Sequence, residues 1–116
     1  MPFKPADSLL PLTPISFEIL LALMPGDAHG YAILQAVEER LSGKLPLRTG
    51  TMYRALARLM DEGLIERTDA ADDDDERRRY YRITAHGRDV AKAEARRLAD
   101  QVEAARAHRL LPDPRR

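Results

Sequence analysis

Thr49, Gly50, Thr51, Tyr53, Arg54 and Arg58 lie close enough in the chain to form one hydrogen-bonding surface. Hydroxyl, phenol and guanidinium groups are donors suited to phosphate oxygens and base edges. Met52, Leu56, Leu59 and Met60 recur at helical spacing, which predicts a helix over about residues 49–62 with these four on its buried face. Its first turn then carries only small or polar side chains. Such a turn lets backbone approach nucleic acid closely, and its free N–H groups attract phosphate. Arg54 sits one turn on, in reach of a guanine edge or a phosphate. Arg58 lies a turn further and suits the DNA backbone, as does the Tyr53 hydroxyl. An amphipathic helix with solvated arginines is the alternative for this segment alone, and the basic stretch that follows weighs against it. Arg77, Arg78, Arg79 and Arg82 stand in the run RRRYYRIT, which reads as the return strand of a hairpin. Basic hairpins of this kind track phosphates or enter the minor groove.

Charge complicates this picture. Residues 72–76 are all acidic and directly precede those arginines, and residues 48–82 hold eight arginines against nine carboxylates. The whole chain carries 19 basic and 19 acidic residues. DNA binding should therefore depend on where the arginines sit and not on bulk attraction. The base of the hairpin would meet DNA while its acidic tip points away or folds back on the arginines.

Other chemistry finds little support. The 116-residue chain has no cysteine, which removes disulfides, thiolate zinc sites and thiol nucleophiles. His29, His86 and His108 lack metal-ligand spacing, so no metal is expected. Ser8, Ser16 and Ser42 have no evident base, and no glycine-rich phosphate loop occurs. Residues 72–76 lack the glycine and terminal glutamate of a calcium loop. An enzyme is not expected, nor is a cofactor. No apolar run approaches the roughly 18 residues that span a membrane, and no signal peptide is evident. A cytoplasmic location fits these features. At 44% hydrophobic and 33% charged, the chain reads as one globular domain.

The elements that position these residues follow from patterning. Residues 1–12, with Pro2, Pro5 and Pro11, read as an extended arm exposing Leu9, Leu10 and Leu12. Thr13 and Pro14 suit the cap and first position of a helix ending near Met24. A second helix is expected over residues 30–41, with Val37 and Leu41 best placed for the core and Tyr31 as a packing residue. Gly63 suits the end of the third helix. Strands are expected over residues 64–67 and 79–84, with Tyr81 and Ile83 on one face. Thr84 would cap a last helix reaching about residue 110, roughly 39 Å long. The fold class is thus mainly α with a small β-hairpin: a winged helix-turn-helix over 13–84, a long C-terminal helix over 85–111 and a short tail over 112–116. On that last helix Ala91, Ala95, Leu98, Val102 and Ala105 alternate by four and three, a heptad-like seam. The seam asks for a partner, and a homodimer would present two recognition helices to two half-sites. Leu9, Leu10 and Leu12 would dock on the partner's last helix.

HGYAIL at residues 29–34, GTMYRALARLMDEGLI at 50–65 and RRYYRITAHG at 78–87 together resemble the PadR family of transcriptional regulators. The resemblance spans about residues 15–105. It implies a winged-helix homodimer, usually a repressor, joined through its C-terminal helix with help from its N-terminal one, and of the smaller subfamily with a short C-terminal helix. It also implies a palindromic double-stranded operator and, in some members, release by phenolic or hydrophobic compounds near the dimer interface. By position it places Thr51, Tyr53 and Arg54 among recognition-helix contacts and Arg77, Arg78 and Arg79 on the wing. Arg48 stands where the family often has a serine cap, and the acidic hairpin tip is a further departure. A protein-interaction module that keeps the fold without DNA binding is the alternative, favoured by the zero net charge.

Overall fold

The computed structural model describes residues 3–42, 48–68 and 80–112. Helix α1 spans Pro14–Leu23, strand β1 Ala28–His29, α2 Gly30–Leu41, α3 Thr49–Asp61, β2 Ile65–Thr68, β3 Tyr80–Ile83 and α4 Ala85–Ala107. The winged-helix order expected from the sequence is present. The hairpin is one part of a three-stranded antiparallel sheet ordered β1-β3-β2. Strand β1 was not anticipated: two residues cannot show an alternating pattern, and pairing of Ala28 with Tyr81 and His29 with Tyr80 alone defines it.

Local chemistry sets the helix boundaries. The Thr13 hydroxyl accepts from the Ser16 N–H at 3.1 Å, with Pro14 supplying a preset φ behind it. Thr84 caps α4 by accepting from the Gly87 N–H at 2.9 Å, and its own hydroxyl donates to the Gly63 carbonyl at 2.6 Å. One threonine thus closes the start of α4 onto the end of α3. Helix α3 stops at a glycine in left-handed backbone: Gly63 has φ of 76°, the Leu64 N–H donates to Leu59 O and the Gly63 N–H to Met60 O. That bond pair is the Schellman arrangement, which glycine adopts without steric cost. Helix α4 ends three residues earlier than expected, because Arg109 turns left-handed at φ 60° and the Leu110 N–H returns to Ala105 O.

The core gathers Ile19, Leu20 and Leu23 of α1, Ile33 and Val37 of α2, and Met52, Leu56 and Leu59 of α3, closed by Leu64, Ile65, Tyr81, Ile83 and Val90. Tyr81 and Ile83 share the buried face of β3, as their alternation predicts. Tyr31 does not pack as expected and is 62% exposed; Ile33, two residues on, takes the core position. Ala91, expected on the seam of α4, is buried in the chain's own core. The N-terminal arm is not extended throughout. Residues Ala6–Leu9 form a short 3-10 turn, and Leu9, Leu10 and Leu12 lie half-buried against this chain's core. Three leucines in water cost more than a folded arm, which is the physical reason for the difference. Among the described residues no helix is long and apolar enough to cross a membrane.

Candidate nucleic-acid interface

Helix α3 projects Thr49, Gly50, Tyr53, Arg54 and Arg58 to solvent, with Thr51 half-buried between them. Arg48 takes the cap position without a capping side-chain hydrogen bond, and the first intrahelical bond runs from the Met52 N–H to Arg48 O. No side chain among the described residues therefore competes for the amides of the first turn. The Arg54 side chain turns back along the helix, as long helical side chains do. Its Nη2 lies 3.4 Å from Thr51 Oγ1, and a methyl built on Gly50 would stand 3.6 Å from its Nη1. Guanidinium, hydroxyl and open amides thus converge at one helix end, where the helix dipole adds positive potential. Arg58 lies one turn away, 3.8 Å from Glu62, with its side chain 67% exposed.

Tyr53 links the two helices of the helix-turn-helix. Half of it faces solvent, yet its hydroxyl lies over the first residue of α2: a methyl on Gly30 would meet Tyr53 Oη at 2.9 Å. The His-Gly-Tyr opening and the Thr-Met-Tyr-Arg stretch are therefore parts of one contact. His29 begins α2, its Nδ1 accepting from the Ala32 N–H at 3.1 Å while its ring meets Tyr80 of β3 edge-on at 5.5 Å. Gly30→Ala should leave the unfolding free energy in urea within about 1 kcal/mol of wild type, since the clash falls on the end of a flexible side chain. The Tyr53 ring should nonetheless move, read as altered ring-proton shifts by NMR. Unchanged shifts would show that Gly30 does not set the Tyr53 position.

Arg77, Arg78, Arg79 and the acidic residues 72–76 lie outside the described residues. Of the arginine run, Arg82 is described, and carboxylates surround it. Its Nε and Nη2 reach the two Asp27 carboxylate oxygens at 3.3 and 3.1 Å, and its Nη1 lies 3.7 Å from Glu66. Hydrogen bonding to Asp27, then the charge of Asp27, holds this guanidinium more firmly protonated than usual.

The residues assigned to a dimer interface divide into two groups. Leu9, Leu10 and Leu12 are half-buried within the chain. Along α4, Ala95 is exposed, Leu98 and Ala105 are half-buried, and Val102 remains 37% exposed. Leu110 and Leu111 add further exposed apolar surface at 74% and 44%.

One residue of consequence escaped the sequence reading. Glu94 is 1% exposed. It accepts the Leu12 N–H at 2.9 Å and pairs with Arg97 on the next turn. The Arg97 hydrogen bond, helped by Leu12 and opposed by desolvation, holds its carboxyl below the usual range. The signal was present, since Glu94 stands four residues from both Val90 and Leu98 on an apolar stripe. Among the described residues no group of side chains is arranged to hold a metal ion.

The structure resembles solved regulators. A PadR family transcription regulator from Clostridium difficile matches with a TM-score of 0.72 at 28% identity, covering 83% of this chain and 98% of that one. A transcriptional regulator from Clostridium thermocellum matches at 0.70 and 27% identity, covering 80% and 87%. Bacillus subtilis PadR in complex with operator DNA shares the fold at 0.61 and 23% identity, covering 70% of this chain and 47% of its own. No curated protein matches the chain. The model of the PadR-like family of transcriptional regulators matches residues 19–93. That span takes in α1 from Ile19, the whole helix-turn-helix, both wing strands and the start of α4, and the chain belongs to the PadR-like family of transcriptional regulators.

Proposed function

We propose that this protein is a sequence-specific DNA-binding repressor that reads a palindromic operator as a homodimer. The observation that supports it most is the exposed first turn of α3, where open amides, Thr49, Thr51 and the folded-back Arg54 guanidinium form one donor surface. In this reading Thr49, Thr51 and Arg54 face the major groove. Tyr53, Arg58 and the wing arginines Arg77, Arg78 and Arg79 bind phosphates. The PadR of Bacillus subtilis, solved with operator DNA, supports this use of the shared fold. The uncovered apolar residues of α4 supply the dimer surface, and a small hydrophobic or phenolic effector would act there.

The experiment is selection of bound fragments from genomic DNA, followed by titration of the recovered duplex. Arg54→Ala should weaken binding by about 1–3 kcal/mol and relax preference at one base position. Arg58→Ala should weaken all sequences alike and reduce the salt slope by about one. Retention of full affinity and preference by Arg54→Ala would remove α3 from the role of reader. The second reading, an interaction module that keeps the fold, is favoured by the zero net charge and by the carboxylates around Arg82. A wild-type salt slope near zero would support it.

A further inference from the structure

Arg82 belongs by sequence to the basic run, yet its surroundings differ from those of a free phosphate-binding arginine. Besides the Asp27 fork and Glu66, its Nη2 lies 3.3 Å from Thr68 Oγ1. Every nitrogen of the guanidinium thus faces an acceptor of the chain itself. Those acceptors come from separate segments: Asp27 directly precedes β1, and Glu66 and Thr68 belong to β2. Arg82 also stands opposite Glu66 in the ladder. One side chain of β3 therefore ties β2 to the residue that leads into β1 across the solvent face of the sheet, while Tyr81 and Ile83 hold its other face to the core.

The joint compensates for a weak ladder. Strand β1 meets β3 through two residue pairs and then continues directly into α2, where Tyr53 rests on Gly30. A planar guanidinium bonded to both oxygens of a carboxylate fixes direction as well as distance, which a lysine point charge does not. Phosphate at this position would meet two carboxylates as well as the cation.

We propose that Arg82 is a positioning residue for DNA binding: by joining Asp27 to Glu66 and Thr68 it fixes the base of the wing against the start of α2, and it does not itself bind phosphate. The proposal rests on the DNA-binding reading above. It assigns Asp27, an acidic residue, a supporting role in holding an anion-binding surface together.

The test uses the full chain, the variants Asp27→Asn, Arg82→Gln, Arg82→Lys and the double variant Asp27→Asn/Arg82→Gln, and a duplex recovered by the wild type from a random-sequence pool. Affinity is measured against potassium chloride concentration, and amide hydrogen exchange of Glu66, Thr68 and Arg82 is followed without DNA. Each single variant should weaken binding roughly two- to five-fold, the range of an exposed paired charge, with the wild-type salt slope. The double variant should be no weaker than either single one, Arg82→Lys should not recover the loss, and exchange should quicken in all. Tighter binding by Asp27→Asn, or a slope reduced by about one in Arg82→Gln, would make Arg82 a phosphate contact and overturn the proposal. Wild-type affinity in Arg82→Lys would overturn it too, since charge alone would then suffice. A wild-type chain that recovers no duplex overturns the DNA-binding reading itself, whereas unchanged exchange in the variants overturns the strand joint alone.

Discussion

Gly87→Ala is expected to lower the unfolding free energy by about 3 kcal/mol, the upper range for an overpacked site. A methyl at this position would stand 2.0 Å from the Leu64 carbonyl oxygen, 2.9 Å from its carbon and 2.8 Å from Ile83 Cγ1. Alanine is the better helix former by about 1 kcal/mol, so propensity alone predicts stabilisation. Sterics decide the sign here, because the obstacle is backbone and not the tip of a flexible side chain. That carbonyl is also held in place, accepting the Thr84 N–H at 3.0 Å. Moving it aside would break the bond that docks the start of α4 on the start of the wing. A urea midpoint equal to or above that of wild type would show that α4 and β2 can separate freely.

The same crossing bears on the proposed function. Helix α4 carries the exposed Val102 and the surface proposed for the partner, while α3 carries the proposed DNA contacts. Thr84 and Gly87 set the angle between them. In the proposed dimer, a Gly87→Ala chain that still folds should therefore lose most of its preference for a palindromic site over an isolated half-site, since the two recognition helices would be misaligned.

Much of this was legible in the sequence because it depends on local chemistry. Thr13, Thr84 and Gly63 mark helix ends through their own side chains or backbone freedom. Apolar spacing then located Met52, Leu56 and Leu59 and the whole of α2. What escaped were features made by contacts between distant segments. Strand β1 exists because Tyr80 and Tyr81 pair with it, fifty residues away in the chain. The arginine run looked uniform, and only the sheet brings Asp27 beside Arg82. On α4 the chain's own core takes Gly87, Val90, Ala91 and Glu94, so of the expected seam Ala91 turns inward. Ala95 and Val102 remain outward. Leucines on the arm reveal that they must be covered but not by which surface, and within one chain they lie half-buried against its own core.

Glu94→Ala is the second large effect, with an expected loss of about 2–3 kcal/mol. Removing the carboxylate leaves the part-buried Leu12 N–H without its acceptor and Arg97 without its partner. Arg97 is 32% exposed along its side chain and can turn to water, which keeps the loss below that of a fully buried pair. Glu94→Gln keeps an acceptor for Leu12 and loses only the charge, so its cost should be nearer 1 kcal/mol. Acid separates the two contributions. The Glu94 carboxyl is held below its ordinary value of about 4.3, so the unfolded chain takes up its proton first as pH falls. Its stabilisation is complete above that ordinary value and is lost as pH drops through the folded one. The gap between wild type and Glu94→Gln in urea should be constant from neutral pH to about pH 5 and should close on further acidification. A gap that stays constant to about pH 3 would mean that the carboxyl is not held low. Loss of the bond should also free Leu9, Leu10 and Leu12 from α4. Dimer dissociation measured by sedimentation will show which copy they serve: weaker association in Glu94→Ala if the arm braces its own helix, stronger association if the freed leucines reach the partner.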